Sequence, residues 1–461
     1  MGRSTVAVLG LGKVGLPMMA CFASCGHRVI GVDANPERVA SLRAGQAPLH
    51  EPGLSKLLAQ NHFRIEITSD LAMAGDAEIL FVIVPTPSDA HGSFSPEHVL
   101  SAIENIGALI RSTDEYRLVV VSSTLMPEAM NEEVLPALER ASGRRCGETL
   151  GLCYNPEFIA LGRVLEDLTN PDFVLIGESD DRAGATLHDF YRTILDAEKP
   201  VRRMTFVNAE LTKLAVNGFV TMKISFANLL AEMCERLPGG DVHAVTAALG
   251  DDRRIGGRYL TGATAFGGPC FPRDNRALDR VARALGVEAS LPQATDAINR
   301  RQTARMMALL CRELRGGCRV AVLGLAYRLD TDVLEASAGV DLTESLLEKG
   351  FEVVIYEPSG PEATQRRFAA RVVAAGTLEE AIRGAEAIVV CLPHPEFLRL
   401  NTLIPRMAGA SPLVVVDSWG LLDGDDLSKV SRYERLGRAA TRFRTSDVDI
   451  GEAGAVAAKP G

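Results

Sequence analysis

Short runs of β-branched and other apolar residues alternate with helical patterns through the first half of the chain. Such runs are typical of parallel strands buried on both faces of a sheet. The helices between them begin with recognisable signals, as at Ser95-Pro96-Glu97, where Ser suits the cap and Pro the first helical position. The predicted strands are Val6–Leu9, Arg28–Val32, Ile79–Val84, Leu118–Val121 and Phe173–Ile176.

The pattern becomes helical from about residue 207 to 249, with no strand signal. The segment 208–235 is long enough for a central helix between two domains, and a second helical region covers about 291–315. We therefore predict an α/β fold with two Rossmann-like doubly wound domains joined by a long-helix connector. The strands of the second domain are predicted at Cys318–Leu325, Glu352–Tyr356, Ala387–Leu392 and Leu413–Asp417.

These patterns divide the chain into an α/β domain at 1–206, a helical connector at 207–315, a second α/β domain at 316–440 and a flexible tail at 441–461. The two α/β domains resemble each other weakly. The segment VAVLGLGKVG that begins at Val6 is echoed by VAVLGLAYRL beginning at Val320. Only the first keeps the full glycine pattern, so we predict that only the first binds a dinucleotide.

Composition narrows the class of protein. The 461 residues carry a formal net charge of -10, which gives no bulk attraction to nucleic acid or to an anionic membrane. The nine cysteines form no CxxC pair and no zinc-like spacing, so we predict free thiols in a reducing cytoplasm and no metal site. The chain starts without a leader, and polar residues interrupt its most apolar helix, so we predict no membrane span.

The strongest motif is Gly10-Leu11-Gly12-Lys13-Val14-Gly15, which follows a strand and opens a helix. Gly10 permits a tight turn, Gly12 lets the backbone approach a pyrophosphate, and Gly15 lets helix and strand pack closely. The next strand ends in Asp33, where a carboxylate accepts hydrogen bonds from ribose hydroxyls and disfavours a 2′-phosphate. Arg38 weakens that preference. The motif predicts NAD binding, and the alternative is a glycine-rich turn beside a solvated Asp.

A cysteine lies in a constrained loop, Gly267-Gly268-Pro269-Cys270-Phe271-Pro272-Arg273-Asp274. The glycines allow close approach of a substrate, and Arg273 would favour the thiolate of a nucleophilic Cys270. The alternative is a buried, inert thiol, which is how we interpret the other eight cysteines.

Two further motifs carry candidate acid–base groups. Glu157 in Asn155-Pro156-Glu157-Phe158 follows the strand-like LGLCY, where a carboxylate can act as a general base. Lys213 and Asn217 are four residues apart on one helical face and can hold an oxyanion together. The alternative for Glu157 is an N-cap or a surface turn, and the alternative for Lys213 and Asn217 is a solvated helix face.

These four motifs, in this order and at these separations, resemble the UDP-glucose/GDP-mannose dehydrogenase family of nucleotide-sugar dehydrogenases. The resemblance covers about residues 4–435. It includes Pro85-Thr86-Pro87 and Ser123-Thr124, each after a strand, and Arg254-Ile255-Gly256 before the cysteine loop.

The resemblance implies oxidation of the C6 hydroxyl of a nucleotide-linked hexose to a carboxylate with two NAD per turnover. Cys270 resembles the nucleophile that carries a thiohemiacetal and then a thioester. Lys213 and Asn217 match groups that stabilise negative charge on oxygen, and Asp274 matches a carboxylate that assists water or Lys213. Glu157 matches a candidate base for hydrolysis, and Thr124 a residue that positions water.

The resemblance also implies a nucleotide-sugar site and a homodimer or higher homo-oligomer with the 208–236 helix in the interface. The second α/β domain would hold the nucleoside diphosphate. Arg254 would reach the sugar nucleotide, in many members from the neighbouring subunit. The implied substrate-site residues also include Glu157, Phe158, Lys213, Asn217, Tyr259, Leu260, Gly267 and Gly268. The implied cofactor-site residues, beyond those named above for the dinucleotide, are Lys13, Val14, Pro85, Thr86, Thr124 and Arg328.

The chain departs from the family pattern near the expected nucleotide site. Leu161 stands where many glucose-type members have a second glutamate, which favours another hexose or an N-acetylhexosamine. Pro269 replaces Ser or Phe, and Arg273 replaces Lys. In the C-terminal signature Val333, Glu335 and Ala338 replace Asp, Arg and Pro. These changes leave the hexose and the nucleotide open, with UDP-sugars the first expectation.

Two other functions stay open at this point. A two-electron dehydrogenase of the β-hydroxyacid type has a similar first domain and a helix-borne lysine, but needs neither Cys270 nor a third domain. A nucleotide-sugar-binding protein without turnover is the other alternative, and the altered C-terminal signature is its motivation.

Overall fold

The computed structural model describes residues 3–47, 51–89, 92–407 and 413–439, so the predicted tail at 441–461 lies outside the described residues. The strands are β1 Thr5–Leu9, β2 Arg28–Val32, β3 Ile65–Thr68, β4 Ile79–Val82, β5 Arg117–Val121, β6 Leu150–Tyr154, β7 Val174–Glu178, β8 Val201–Met204, β9 Arg319–Leu323, β10 Glu352–Tyr356, β11 Val373–Ala374, β12 Ala387–Val390, β13 Val414–Asp417 and β14 Arg432–Arg435.

The α-helices lie between these strands and in the connector. They are α1 Gly15–Ser24, α2 Pro36–Arg43, α3 Leu54–Asn61, α4 Glu97–Ile110, α5 Leu135–Ser142, α6 Val164–Thr169, α7 Asp181–Tyr191, α8 Phe206–Arg236, α9 Val242–Asp251, α10 Phe271–Ala284, α11 Ser290–Glu313, α12 Ala338–Glu348, α13 Pro361–Phe368, α14 Leu378–Ile382, α15 Leu400–Met407 and α16 Gly424–Leu427.

The first sheet has the strand order β3-β2-β1-β4-β5-β6-β7-β8 and is parallel except between β6 and β7. Its first six strands follow the order of a doubly wound dinucleotide-binding sheet. Separate apolar cores cover its two faces, one built around α1 and the other around α4 and α5. The second sheet, β11-β10-β9-β12-β13-β14, is parallel throughout. The predicted fold class is therefore confirmed.

Helix α8 joins the two sheets and is 31 residues long. By length and composition alone it is the one helix of the described ranges that is apolar enough to cross a membrane. It instead packs along α10 and α11 and buries polar side chains, among them Glu210, Lys213 and Asn217, in the middle of the protein. A polar set of this kind is satisfied by protein contacts, which makes α8 a core helix.

The internal sequence echo is a structural repeat. Gly10 N donates to Val32 O, and Gly324 N donates to Tyr356 O in the same way at the second sheet. An acidic residue follows the corresponding strand in each sheet: Asp33 follows β2, and Glu357 follows β10. Asp33 accepts a hydrogen bond from Leu11 N, and Glu357 accepts them from the two residues after Gly324.

The two repeats differ in the loop that leads to the helix. A Cβ on Gly15 would lie 1.9 Å from Gly10 O, and a Cβ on Gly339 would lie 2.4 Å from Gly324 O, so both repeats keep the glycine that lets helix and strand pack. Four residues separate the first pair and fourteen the second. The longer loop, residues 325–338, fills the place where a dinucleotide turn would be, so the second sheet lacks the turn that a dinucleotide requires.

The start of α4 differs from prediction by one residue. Pro96 is the N-cap and the helix begins at Glu97, whose N–H lies 3.4 Å from Ser95 Oγ. The connector also contains α10, which begins directly after Cys270, so the cysteine loop is shorter than the glycine and proline pattern indicates.

We predict that Glu357→Ala destabilises the second sheet. Glu357 is buried and accepts hydrogen bonds from Leu325 N, Ala326 N and Ser359 N at 2.6 to 2.9 Å, so its loss leaves buried N–H groups without partners. We expect a loss of about 3 kcal/mol in the free energy of unfolding. The only tryptophan, Trp419, follows β13, so its fluorescence in urea reports this sheet directly. The exposed Glu362→Ala is the control, and equal midpoints for both variants would contradict the prediction.

Candidate active site

The first glycine motif has the geometry of a dinucleotide turn. Gly10 has φ +96°, and a Cβ there would lie 2.1 Å from Ile83 O. A Cβ on Gly12 would meet nothing within 4 Å, so the turn is open on the side where a phosphate approaches. The N-cap of α1 is Val14, and no side chain caps the helix. Leu16 N donates to Gly12 O and Pro17 has no N–H, so Gly15 supplies the first-turn N–H that can meet an anion.

Asp33 is buried at the end of β2 and fixed by three donors. Leu11 N and Arg38 Nη1 donate to its Oδ2 at 2.8 and 2.9 Å, and Asn35 N donates to Oδ1 at 2.9 Å. Burial alone would raise the pKa of Asp33, but these hydrogen bonds and the charge of Arg38 bring it below its ordinary value. The carboxylate is therefore ionised at neutral pH and faces the ribose position of the turn.

The loops after β4 and β5 lie at the same sheet edge. Ser123 Oγ donates to Val84 O at 2.7 Å and accepts from Val84 N at 2.9 Å, which locks the two loops together. Thr86, next to the exposed Pro85, accepts from Arg273 Nη1 through its carbonyl oxygen at 2.9 Å. This bond ties the predicted cofactor loop to α10, and the partly buried Thr124 follows Ser123 in the same cleft.

Lys213 and Asn217 lie on the buried face of α8, one helical turn apart. Lys213 Nζ donates to Glu157 O at 2.6 Å and sits 4.8 Å from the centre of the Phe158 ring. Asn217 Nδ2 donates to Asp274 Oδ2 at 2.6 Å. The structure thus brings four predicted catalytic residues from three segments of the chain into contact in two pairs.

Asp274 is almost fully buried in the first turn of α10. Its second oxygen, Oδ1, and Arg273 Nε are 3.6 Å apart, and neither atom has a hydrogen-bond partner among the described residues. The Arg273 guanidinium also stacks 4.4 Å from the Phe94 ring centre. A buried carboxylate oxygen with free acceptor capacity is suited to hold a water or a substrate hydroxyl.

Cys270 is the N-cap residue of α10 and is open to solvent in the cleft. The protein packed around its sulfur raises the pKa of the thiol by desolvation, while the positive charge of Lys213 lowers it, ahead of Arg273. Arg273 thus acts on the thiol in the direction expected from the sequence, but desolvation outweighs both cations, so the net pKa of Cys270 is raised. The thiol is neutral at pH 7 and needs a base to become a nucleophile.

The second domain braces the cysteine loop. A Cβ on Gly267 would lie 2.0 Å from Ala336 O, and Gly268, at φ +84°, would meet the Tyr327 ring at 2.5 Å. Gly268 N also donates to Glu335 O at 3.0 Å. The glycines are thus required by contact with the 325–338 loop.

Two of the residues that differ from the family signature, Val333 and Ala338, lie in the 325–338 loop that contacts the cysteine loop. Val333 is buried, and its carbonyl accepts from Tyr327 N at 2.9 Å. Ala338 is buried at the start of α12. Arg328 lies in the same loop. The altered positions 333 and 338 are therefore packing positions, whereas Glu335 is exposed beside the cysteine loop.

Glu157 follows β6 and points toward α7. Its Oε1 lies 3.2 Å from Tyr191 Oη, which is also 2.5 Å from Asn155 Oδ1. Burial raises the pKa of the Glu157 carboxyl to about 7, and the Tyr191 hydroxyl and Lys213 act in the opposite direction. A carboxyl group with this pKa exchanges a proton readily at neutral pH.

Other predicted substrate residues lie at the rim. Arg254 is exposed and makes its hydrogen bonds to Asp252, two residues away in its own turn. Tyr259 is half exposed, and its ring stands edge-on to Phe271 at 6.3 Å, while Leu260 is buried. Within a single chain, the hydrogen bonds described for Arg254 therefore do not reach Cys270 or Lys213.

Glu210 and Tyr191 are site residues that sequence reasoning missed. Glu210 is fully buried and accepts from Glu128 N and Met130 N at 2.8 Å, which holds the loop containing Thr124 against α8. Glu128 has φ +79°, so this anchor maintains a strained turn. The signal for Glu210 was its spacing, because it shares a helical face with Lys213 and Asn217. Nothing local signalled Tyr191.

Comparison with known proteins decides the family. Residues 4–195, 207–301 and 321–424 match the NAD binding, central and UDP binding domains of the UDP-glucose/GDP-mannose dehydrogenase family. The chain belongs to this family. Its cofactor is therefore NAD, and it is a nucleotide-sugar dehydrogenase by descent, as the sequence motifs predicted.

Individual relatives agree over almost the whole chain. UDP-glucose 6-dehydrogenase AglM of Haloferax volcanii is 36% identical over 86% of this chain and 93% of its own length. A UDP-glucose 6-dehydrogenase of Pseudomonas aeruginosa is 34% identical over 94% and 95%. A solved UDP-glucose dehydrogenase of Pyrobaculum islandicum superposes with a TM-score of 0.86 at 32% identity, covering 95% of this chain and 98% of that one.

We predict that Asp33→Ser changes the cofactor preference. The variant removes the carboxylate at the ribose position and releases Arg38 to meet a 2′-phosphate. Calorimetric titration with NAD and NADP is expected to give about tenfold weaker NAD binding, the value of one or two charged hydrogen bonds, and tighter NADP binding. The exposed Glu37→Ser is the control. An unchanged ratio of the two affinities would show that Asp33 does not select the cofactor.

Proposed function

We propose that this protein oxidises the C6 hydroxyl of a nucleoside-diphosphate hexose, first of all a UDP-sugar, to the carboxylate. The observation that carries the proposal is the convergence of Cys270, Lys213 and the Asn217–Asp274 pair at the cleft between the NAD-binding sheet and the second sheet. The UDP-glucose 6-dehydrogenases among its relatives support a UDP-sugar, and Leu161 favours a hexose other than glucose.

The proposed reaction consists of two successive oxidations, in which different residues of the cleft take part. NAD, when bound, accepts a hydride in each of them. The first converts the C6 alcohol into an aldehyde. Cys270 Sγ then adds to the aldehyde carbon, and its proton passes to the oxygen, which gives a thiohemiacetal. Loss of the second hydride from C6 and of the hydroxyl proton leaves a thioester on Cys270.

Lys213 and Asn217 are the groups that hold the developing negative charge on the C6 oxygen. Both are buried donors preoriented by Glu157 O and Asp274, so they need no rearrangement when charge develops. Asp274 Oδ1 is the free acceptor for a water or for the substrate hydroxyl. Thr124 positions the water, in the cleft beside Ser123.

Hydrolysis of the thioester assigns a base role to Glu157. Water adds to the carbonyl carbon while its proton passes to the carboxylate, the C–S bond breaks, and the Cys270 sulfur is reprotonated. Because the pKa of Glu157 is about 7, the ionised base is lost as the pH falls through that value. Turnover should therefore decline on the acid side of neutral pH.

In this proposal the second domain binds the nucleoside diphosphate. The entrance to the site is lined by Tyr259, Leu260, Gly267 and Gly268, and Phe158 lies beneath the sugar. Glu335 brings a negative charge to this entrance. We propose a cytoplasmic enzyme, in keeping with its free cysteines.

A two-electron dehydrogenase of the β-hydroxyacid type is the competing function. It would use Lys213 alone and would leave Cys270 and the contacts of the second domain without a purpose. The two functions differ in the number of NADH molecules formed for each substrate molecule.

We predict two NADH per sugar and complete dependence on Cys270. The protein is mixed with NAD and a panel of UDP-, GDP- and dTDP-hexoses, and NADH absorbance is read to completion. The best substrate should give two NADH per molecule. Cys270→Ser should bind NAD with unchanged affinity and give no net turnover to the acid, because its hydroxyl is a poor substitute for the thiolate.

One NADH per sugar would support the two-electron alternative. Binding of the sugar nucleotide without any NADH would support the non-catalytic alternative. Full four-electron turnover by Cys270→Ser would refute the thioester mechanism. Cys311→Ser, at an exposed cysteine far along α11, is the matched control and should behave as the unmodified protein.

We further propose a homodimer formed through α8. Phe219, Phe226 and Met233 are spaced by seven residues and are about half exposed along one face of the helix. Soluble monomers rarely expose so continuous an apolar stripe. A partner on this face would also bring the neighbouring subunit's chain toward the cleft, where the role of Arg254 requires it.

We predict that Phe226→Glu weakens the dimer. A carboxylate in the middle of an apolar interface remains without a partner, which costs several kcal/mol of association free energy. Sedimentation velocity should show a monomer for this variant and a dimer for Phe63→Glu, which changes an equally apolar side chain exposed on the first domain. A monomeric parent protein would contradict the proposal.

A further inference from the structure

The environment of Glu157 contains a hydrogen-bond relay whose direction the structure defines. Asn155 is buried behind Glu157, and its Nδ2 donates to Leu175 O at 2.9 Å. That bond fixes the orientation of the amide, so its Oδ1, which can only accept, faces α7. Tyr191, the last residue of α7, is buried against it with Oη 2.5 Å from Oδ1.

Tyr191 has one hydroxyl proton and two acceptors in reach. Asn155 Oδ1 is one, and Glu157 Oε1 at 3.2 Å is the other. When Glu157 is ionised, the carboxylate is the stronger acceptor and attracts the proton. When Glu157 is protonated, its own hydroxyl donates to Tyr191 Oη, and the Tyr191 proton turns to Asn155.

We propose that Tyr191 is a positioning residue that satisfies Glu157 in both of its protonation states by rotating a single O–H bond. This inference rests on the proposed function, in which Glu157 takes a proton from water and later releases it. The change is confined to the hydroxyl proton and a small shift of Tyr191 Oη, which lies 2.5 Å from Asn155 Oδ1 and 3.2 Å from Glu157 Oε1 and moves toward the carboxylate when it donates there. The relay therefore allows a buried carboxyl group to gain and lose a proton within one turnover without reorganising the site.

The other groups near Glu157 do not replace this relay. From α8, Lys213 contacts the Glu157 backbone carbonyl and supplies a nearby positive charge. From α1, the thiol of Cys21 faces the same interior. Its hydrogen bond with Cys25 and then burial raise the pKa of Cys21, so it stays neutral. Tyr191 is thus the described side chain that can both donate to and accept from the carboxyl group.

The relay predicts that two variants shift the acid limb of the kcat–pH profile in opposite directions. Tyr191→Phe removes the donor of ionised Glu157, so the pKa of Glu157 rises and the acid limb of the kcat profile moves to higher pH. Asn155→Leu removes the competing acceptor and commits the Tyr191 proton to Glu157, so the same limb moves to lower pH. Each shift is expected to be about one pH unit, the value of one hydrogen bond to a charged group.

The experiment measures kcat against pH for the parent protein and both variants with NAD and the best sugar nucleotide of the panel. Tyr191→Phe should turn over about tenfold more slowly below the limb and recover at alkaline pH. The KM for both substrates and the first rapid release of NADH should be unchanged, because thioester formation precedes hydrolysis. Tyr116→Phe, at a partly buried tyrosine of the same domain, is the control and should leave the limb in place.

A double-mutant cycle separates positioning from general packing. In a Glu157→Gln background, Tyr191→Phe should have no further effect on the hydrolysis rate, since the relay has lost its titrating member. A limb that stays in place in both single variants, or an equal rate loss with and without Glu157, would overturn the proposal. If Tyr191→Phe fails to fold, the downward shift of Asn155→Leu still tests it. A parent protein that forms no NADH with any sugar nucleotide refutes the proposed function instead.

Discussion

The contact between the backbone of Gly267–Gly268 and the 325–338 loop is the constraint on which the site depends. These two glycines of the connector contact Ala336 and Tyr327 of the second α/β domain with no room for a side chain, and one backbone hydrogen bond joins the two segments. Cys270 follows immediately and opens α10. The position of Cys270, the proposed nucleophile, therefore depends on the docking of the second domain.

The second sheet acquires this role through a modified repeat. It keeps the glycine pair and the acidic anchor of the first sheet, at Gly324, Gly339 and Glu357, but its turn is extended by ten residues. The extension occupies the dinucleotide position and instead supports the cysteine loop. One supersecondary unit thus occurs twice, once at the NAD site and once as support for the loop that contains Cys270.

Patterns of local sequence predicted a large part of this arrangement. Buried strands such as β1 and β10 were recognisable because both of their faces are apolar, and the glycine motif specified its own turn. Strands β8 and β14 were not predicted, since Val201–Met204 and Arg432–Arg435 are short edge strands rich in arginine, and an edge strand needs no apolar face. Periodicity identified α8 but not the packing of its buried charges.

The candidate site was predictable where its residues lie in contiguous motifs. Lys213, Asn217, Glu157 and Cys270 lie in such motifs. The contacts of Lys213 with Glu157 and of Asn217 with Asp274 join distant segments, so only the fold defines them. Tyr191 was unpredictable because it reaches Glu157 across 34 residues and the motif around it is an ordinary amphipathic helix. The raised pKa of Cys270 likewise depends on how tightly the cleft packs, which composition does not give.

The central claim is that Cys270 carries the substrate between the two oxidations, and the intact mass of the protein during turnover tests it most directly. Glu157→Gln slows hydrolysis, so the reaction with NAD and sugar nucleotide can be quenched in acid while the intermediate accumulates. We predict a protein mass raised by that of the substrate less four hydrogen atoms, on the peptide Tyr259–Arg273 that contains Cys270. Formation of NADH without any adduct, or an adduct on another cysteine, would contradict the account.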